Sequence, residues 1–235
     1  MQAGPSEHPI TRASAAIDAA LKSVTDANPV FMTTEDKTRS LHELARLESR
    51  LAELRLRVMA TSEDVADGAA ARDIGAWFAF QTRTDLTTAR AEARLAYALD
   101  RHHPYVARGL REGEVTLPQA RVIVRALEAL PDDVPAETVA EAEVFLCTKA
   151  TEFGPRELAR LGNRVLDLVA PEIAEAAEAR RLADLERHAS ERTRLTMRRL
   201  GDGTTRISGR LSDATASRLA TYLEAFANPR IATRQ

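Results

Sequence analysis

Six arginines crowd the stretch RTRLTMRRLGDGTTRISGR (residues 192–210), opposed by a single acid, Asp202. Arginine is the side chain best suited to fork a phosphate or carboxylate, because its N–H donors lie in one plane. The stretch alternates with period two and breaks at Gly201-Asp202-Gly203, which reads as two strands joined by a three-residue loop, a hairpin over 193–211. With Leu200 opposite Thr204, Met197 faces Ile207 and Leu195 faces Gly209 on the side expected to be buried. On the other side Arg198 faces Arg206 and Arg194 faces Arg210. Like charges directly opposite destabilise a sheet, so a negative partner is expected. Two candidates fit: a nucleic-acid backbone, or the acidic stretch 172–191 with Glu172, Glu175, Glu178, Asp184, Glu186 and Glu191.

Two further arginine sets have helical spacing. Arg46, Arg50 and Arg57 share one stripe, and Arg90, Arg94 and Arg101 repeat the same intervals on another. Both could track a phosphate backbone. The competing expectation is a solvated flank beside a leucine face, paired with Glu or Asp. Whole-chain composition does not decide between them. Of 33 basic residues only Lys22, Lys37 and Lys149 are lysine, a bias that GC-rich coding also produces.

Other chemistry is thin. The five histidines, His8, His42, His102, His103 and His188, show no metal-ligand spacing. His102–His103 reads as a solvated or capping pair at a helix end. The lone Cys147 reads as a core thiol; it excludes an internal disulfide and a cysteine-built zinc site. Trp77 with Phe78 reads as a core anchor rather than a base-stacking platform. There is no nucleophile elbow, Walker motif or HExxH, so no catalytic residue, metal or cofactor is expected.

The elements that must carry these residues are mostly helical. The composition, 44% hydrophobic and only 4% aromatic, predicts an aliphatic core. Ile10, Ala13, Ile17, Leu21 and Val24 give a first helix over 10–27, followed by a linker. Ser40 with Glu43 forms a capping box for a helix whose apolar stripe is Leu41, Leu44, Leu47, Leu51, Leu54 and Val58. After a break at SEDVADGAAARD, IGAWFAF is expected to be a short buried helix. Asp85 or Thr84 caps the next. In VARGLREGEVTLPQARVIVRALEALP one helix ends at Gly113, Val115 turns inward, and Thr116 with Gln119 caps a second, a tight helix–turn–helix. Its second helix has little polar surface, so buried architecture is preferred over a DNA-reading role. Further helices follow over 136–151 and 155–170, then the acidic stretch, the hairpin, and a last helix capped by Ser212 or Asp213 with Leu219, Leu223 and Phe226 on one face. The expected fold is mainly α, a bundle of about eight helices with one two-stranded antiparallel hairpin near the C-terminus.

Four stretches in order, AWFAFQTRTDLTTARAEARLAYAL, GLREGEVTLPQARVIVRALEALP, PRELARLGNRVLD and GDGTTRISGRLSDATASRLATYLEAF, resemble the actinobacterial domain of unknown function 222, also known as a mycobacterial repeat family. The resemblance covers roughly residues 38–228, leaving 1–37 as an N-terminal helix and linker and 229–235 as a patternless tail. It implies a module N-terminal to an HNH endonuclease domain, helping to bind or position DNA. The HNH histidines and zinc knuckle are not in this sequence, so a missing C-terminal nuclease domain is expected as a partner, and a truncated or stand-alone copy is implied. The rival expectation is a protein-interaction or oligomerisation module, with a homo-oligomer as one form. No apolar run is long enough for a membrane helix and no secretory signal opens the chain, which predicts a cytoplasmic protein.

Overall fold

The computed structural model describes residues 7–227, apart from the side chains of Glu186, Ser190 and Ala227. The described residues form twelve α-helices, a 3-10 turn at Pro29–Phe31 and one two-stranded antiparallel sheet, the mainly α class that the sequence predicts. None of these helices is long and apolar enough to cross a membrane. The chain makes two compact units. The first runs to Val124 and includes Ala150–Glu152; the second comprises Arg125–Lys149 and the chain from Phe153 onward.

The first unit begins with α1 (Pro9–Ser23), which buries no residue. The next helix, α2 (Thr34–Met59), starts six residues before the expected capping box at Ser40. Thr33 caps it instead: its hydroxyl oxygen accepts the Asp36 N–H at 3.1 Å and donates to the Asp36 carboxylate at 2.7 Å. Glu35 and Asp36 in the first turn suit the positive end of the helix dipole. Ser40 therefore lies inside the helix.

The buried face of α2 is also not the expected one. Ser49, Ala52, Glu53, Leu56 and Met59 face inward, whereas Leu41, Leu44, Leu47, Leu51 and Val58 are exposed. Two short helices follow, α3 (Glu63–Gly68), within the expected break, and α4 (Ile74–Thr82). Ile74, Gly75 and Ala79 of α4 are buried, but Trp77 and Phe78 are only half-buried and Phe80 is exposed, so the aromatic pair is not the core anchor expected.

α2 packs against α5 (Leu86–Arg101) and α6 (Pro104–Glu112). Asp85 caps α5 through the Thr88 N–H at 2.9 Å. Ala89, Ala93 and Ala96 line the inner side of α5, small enough to let neighbouring backbones approach. α6 ends at Gly113, whose φ of +74° favours glycine. Val115 is buried, and Thr116 and Gln119 exchange hydrogen bonds across the first turn of α7 (Leu117–Glu128), as the sequence predicts. Gln119 goes further: its amide donates to the Ala150 carbonyl at 2.6 Å. Close approach is needed at Gly109, where a β-carbon would stand 2.6 Å from Val115 Cγ2.

In the second unit Leu127, Ala142, Leu146, Leu158 and Val165 form the core, on the end of α7, α8 (Ala136–Ala150), α9 (Pro155–Gly162) and α10 (Val165–Val169). The single helix expected over 155–170 is thus two. It breaks just after Gly162, whose missing β-carbon makes room for the Ala126 methyl. α11 (Pro171–Glu191) is the polar helix expected, with no described side chain buried. Then come β1 (Arg194–Arg199), β2 (Thr205–Arg210) and α12 (Asp213–Ala227), which Ser212 caps through the Thr215 N–H.

Candidate nucleic-acid interface

β1 and β2 pair in the register that the turn predicts: Arg194 with Arg210, Thr196 with Ser208, Met197 with Ile207, and Arg198 with Arg206. Leu200 N–H donates to the Thr204 carbonyl at 3.0 Å, closing the loop. Gly201 and Gly203 carry φ of +84° and +85°. Between them Asp202 accepts from the Thr204 hydroxyl and the Thr204 N–H, and these hydrogen bonds hold its carboxyl below the usual carboxylate range. The one acid of the hairpin is therefore ionised and committed to the turn.

Because successive residues point to opposite faces, Arg194, Thr196, Arg198, Arg206, Ser208 and Arg210 share one surface. It is wholly exposed. At its base a groove of about 660 Å³ is lined by Arg192, Arg194 and Arg210 together with the acid Glu191 and with Thr193, Thr196, Ser208 and Gly209. Among the described side chains, none of the six arginines of 192–210 pairs with an acid. The acids of α11 that do pair use that helix's own arginines, Glu178 with Arg181 and Asp184 with Arg187, while Arg180 pairs with Asp133. The opposite face of the ribbon departs from expectation. Leu195, Met197 and Ile207 are exposed rather than buried, since a ribbon of two strands has no second layer of its own to cover it.

The helical arginines stand in different surroundings. Arg46 and Arg50 both donate to the Glu112 carbonyl, at 3.4 and 3.3 Å, and so close the C-terminal end of α6. Arg57 lies 3.4 Å from Glu53 and Arg90 lies 2.9 Å from Asp73. The Asp73 carboxyl is held below its ordinary value, first by the Ala76 N–H and then by Arg90. Arg101 stacks its guanidinium 5.6 Å over the Tyr97 ring. Arg94 is exposed with no such partner.

Two carboxylates that sequence reasoning did not single out organise this side of the molecule. Glu53 on α2 is buried and accepts from Arg111 at 2.9 Å as well as facing Arg57. Glu92 on α5 is buried between Arg55 at 3.1 Å and Arg121 at 3.0 Å. A small cleft of about 220 Å³ opens beside Glu53, Arg57 and Arg111. Charged pairs separated widely in sequence leave no periodic signature, so only a glutamate at a core-facing helical position could have flagged them.

His103 is a further difference. It is buried, not solvated; its Nδ1 has no hydrogen-bond partner, and burial, aided by His102, lowers its pKa below 6.5. Cys147 is half-buried on α8. Among the described residues no cluster of three or more His, Cys, Asp or Glu is arranged to hold a metal ion.

No curated protein and no solved structure matches the chain. A family model does: "Domain of unknown function (DUF222)" matches residues 12–235, extending past both ends of the stretch 38–228 that carries the resemblance. The ribbon, α12 and α1 from Arg12 onward lie inside the match, and the chain belongs to the DUF222 family.

Proposed function

We propose that this chain is a non-catalytic module that grips duplex DNA through the arginine face of its β-ribbon. The observation that carries the reading is the pair of like-charged cross-strand contacts, Arg194 with Arg210 and Arg198 with Arg206, on an exposed surface where no acid among the described side chains forms an ion pair with them, Glu191 lining only the groove at its base. A fold tolerates such repulsion more readily when a bound polyanion relieves it. A two-stranded ribbon also has the width to enter the major groove. Thr196 and Ser208 supply hydroxyls between the arginine pairs. The HNH association implied by the family gives the grip a purpose: the module holds DNA while a nuclease domain cuts.

The test is fluorescence anisotropy with a labelled duplex across a salt series, comparing the natural chain with a variant carrying Arg194→Gln, Arg198→Gln, Arg206→Gln and Arg210→Gln. Each phosphate neutralised contributes roughly 0.9 to the slope of log affinity against log salt, so the variant flattens the slope by up to about 3.6. Its thermal stability stays level or rises. An unchanged slope, with lowered stability, makes the acidic helix the true partner and ends the reading.

A further inference from the structure

α2 has two apolar faces, and the described residues cover one. Leu44, Leu47, Leu51, Leu54 and Val58 follow the alternating three-and-four spacing of a coiled-coil seam. They stand roughly 140° around the helix from the buried residues Ser49, Ala52, Leu56 and Met59. Leu54 is half-buried, but Leu44 is 52% exposed, Leu47 51% and Leu51 49%. α1 repeats the situation, with Ile17 and Leu21 exposed on a helix that buries nothing. Single exposed apolar residues are ordinary; continuous stripes mark an interface.

We propose that a second copy of this chain covers the stripe, packing antiparallel along α2. The flanking charges select this occupant and its direction. With Leu44, Leu51 and Val58 in the first seam position and Leu47 and Leu54 in the second, the flanks are Glu43, Arg50 and Arg57 on one side and Glu48 and Arg55 on the other. Arg50, Arg55 and Arg57 also touch Glu112, Glu92 and Glu53 of their own chain, but each keeps an exposed side chain that can face a partner's charge as well. A parallel copy in register sets Glu43 against the partner's Glu48 and Arg50 against the partner's Arg55, four like-charge pairs by symmetry. An antiparallel copy centred between Leu47 and Leu51 layers Leu44 on the partner's Leu54 and Leu47 on the partner's Leu51. It sets Glu43 against the partner's Arg57 twice, leaving only Arg50 and Glu48 beside their own equivalents.

The test uses the full chain in analytical ultracentrifugation over a concentration series, with disulfide trapping for direction. The natural chain sediments as a dimer. The variant Leu47→Glu/Leu51→Glu sediments as a monomer with unchanged helical circular dichroism, since both side chains are already in solvent. Arg50→Cys cross-links readily under mild oxidant, because it meets its own equivalent. Leu44→Cys does not, because the two copies lie about 15 Å apart along the axis. The natural chain, carrying Cys147 alone, is the control. A chain that stays monomeric up to about 100 μM, a charge variant that still dimerises, or Leu44→Cys cross-linking as well as Arg50→Cys overturns the proposal.

Discussion

Glu92 offers a quantitative check on how the first unit is held. Its side chain is 10% exposed and accepts from Arg55 of α2 and Arg121 of α7, whose side chains are each 44% exposed. Hydrogen bonds to a charged group contribute about 1.5–3 kcal/mol each, so the two together set an upper figure of about 3–6 kcal/mol. Both guanidinium groups reach water, which screens the attraction and lets them rehydrate when released. Halving the upper figure for this gives about 1.5–3 kcal/mol for Glu92→Gln. Arg55→Gln/Arg121→Gln perturbs the same contacts from the other side with a different result. It strands the carboxylate, the buried member, without a partner, and that loss belongs in the range of about 3–5 kcal/mol. Urea unfolding at neutral pH with matched m-values measures both. The double arginine variant is expected to be the less stable, and adding Glu92→Gln to it restores part of the loss. Equal stability for Glu92→Gln and the double arginine variant would refute a desolvated carboxylate at this site.

The turn between α6 and α7 gives three further expectations, all read by thermal unfolding. Gly113→Val forces a branched residue into the left-handed region and costs at least about 1 kcal/mol; Thr116→Ala loses the cap at about 1 kcal/mol. Gly109→Ala also destabilises, because its methyl meets Val115 at the 2.6 Å approach. For His103 the sign follows from burial. The folded chain binds the proton less readily than the unfolded chain, so stability is complete above about pH 6.5 and is lost as pH falls below it. Melting temperatures between about pH 7.5 and pH 5.5 show this slope, and His103→Phe, which cannot titrate, reduces it.

Local rules made much of this fold legible. The glycine pair around Asp202 and the alternation on both sides of it fix the ribbon register, and Gly113, Thr116, Gln119 and Asp85 each announce a helix end by their own chemistry. What was hidden depends on partners distant in sequence. On α2 the leucines outnumber the residues that are actually buried, so periodicity points to the wrong face; Ser49, Ala52 and Glu53 go inside because α5 and α6 offer alanines for close approach and Arg111 for the charge. The apolar side of the ribbon misleads for the same reason: alternation shows which residues share a face, not whether a second layer exists. The candidate site divides likewise. The facing of Arg194, Arg198, Arg206 and Arg210 is readable from the turn, whereas the engagement of Arg46 and Arg50 at the end of α6 rests on contacts more than sixty residues away.

α2 also has a lengthwise asymmetry. Its first three turns, from Thr34 to Ala45, bury nothing, while Ser49 to Met59 is anchored in the core. A free helical segment of a dozen residues is marginal in water, so the front of α2 is a sleeve propagated from a fixed root. Amide hydrogen exchange along this one helix then reports two separate events. Protons near Leu56 leave only when the unit opens as a whole, whereas those near Leu41 leave by fraying from the Thr33 cap. The boundary between these regimes falls near Arg46, where the guanidinium reaches the end of α6.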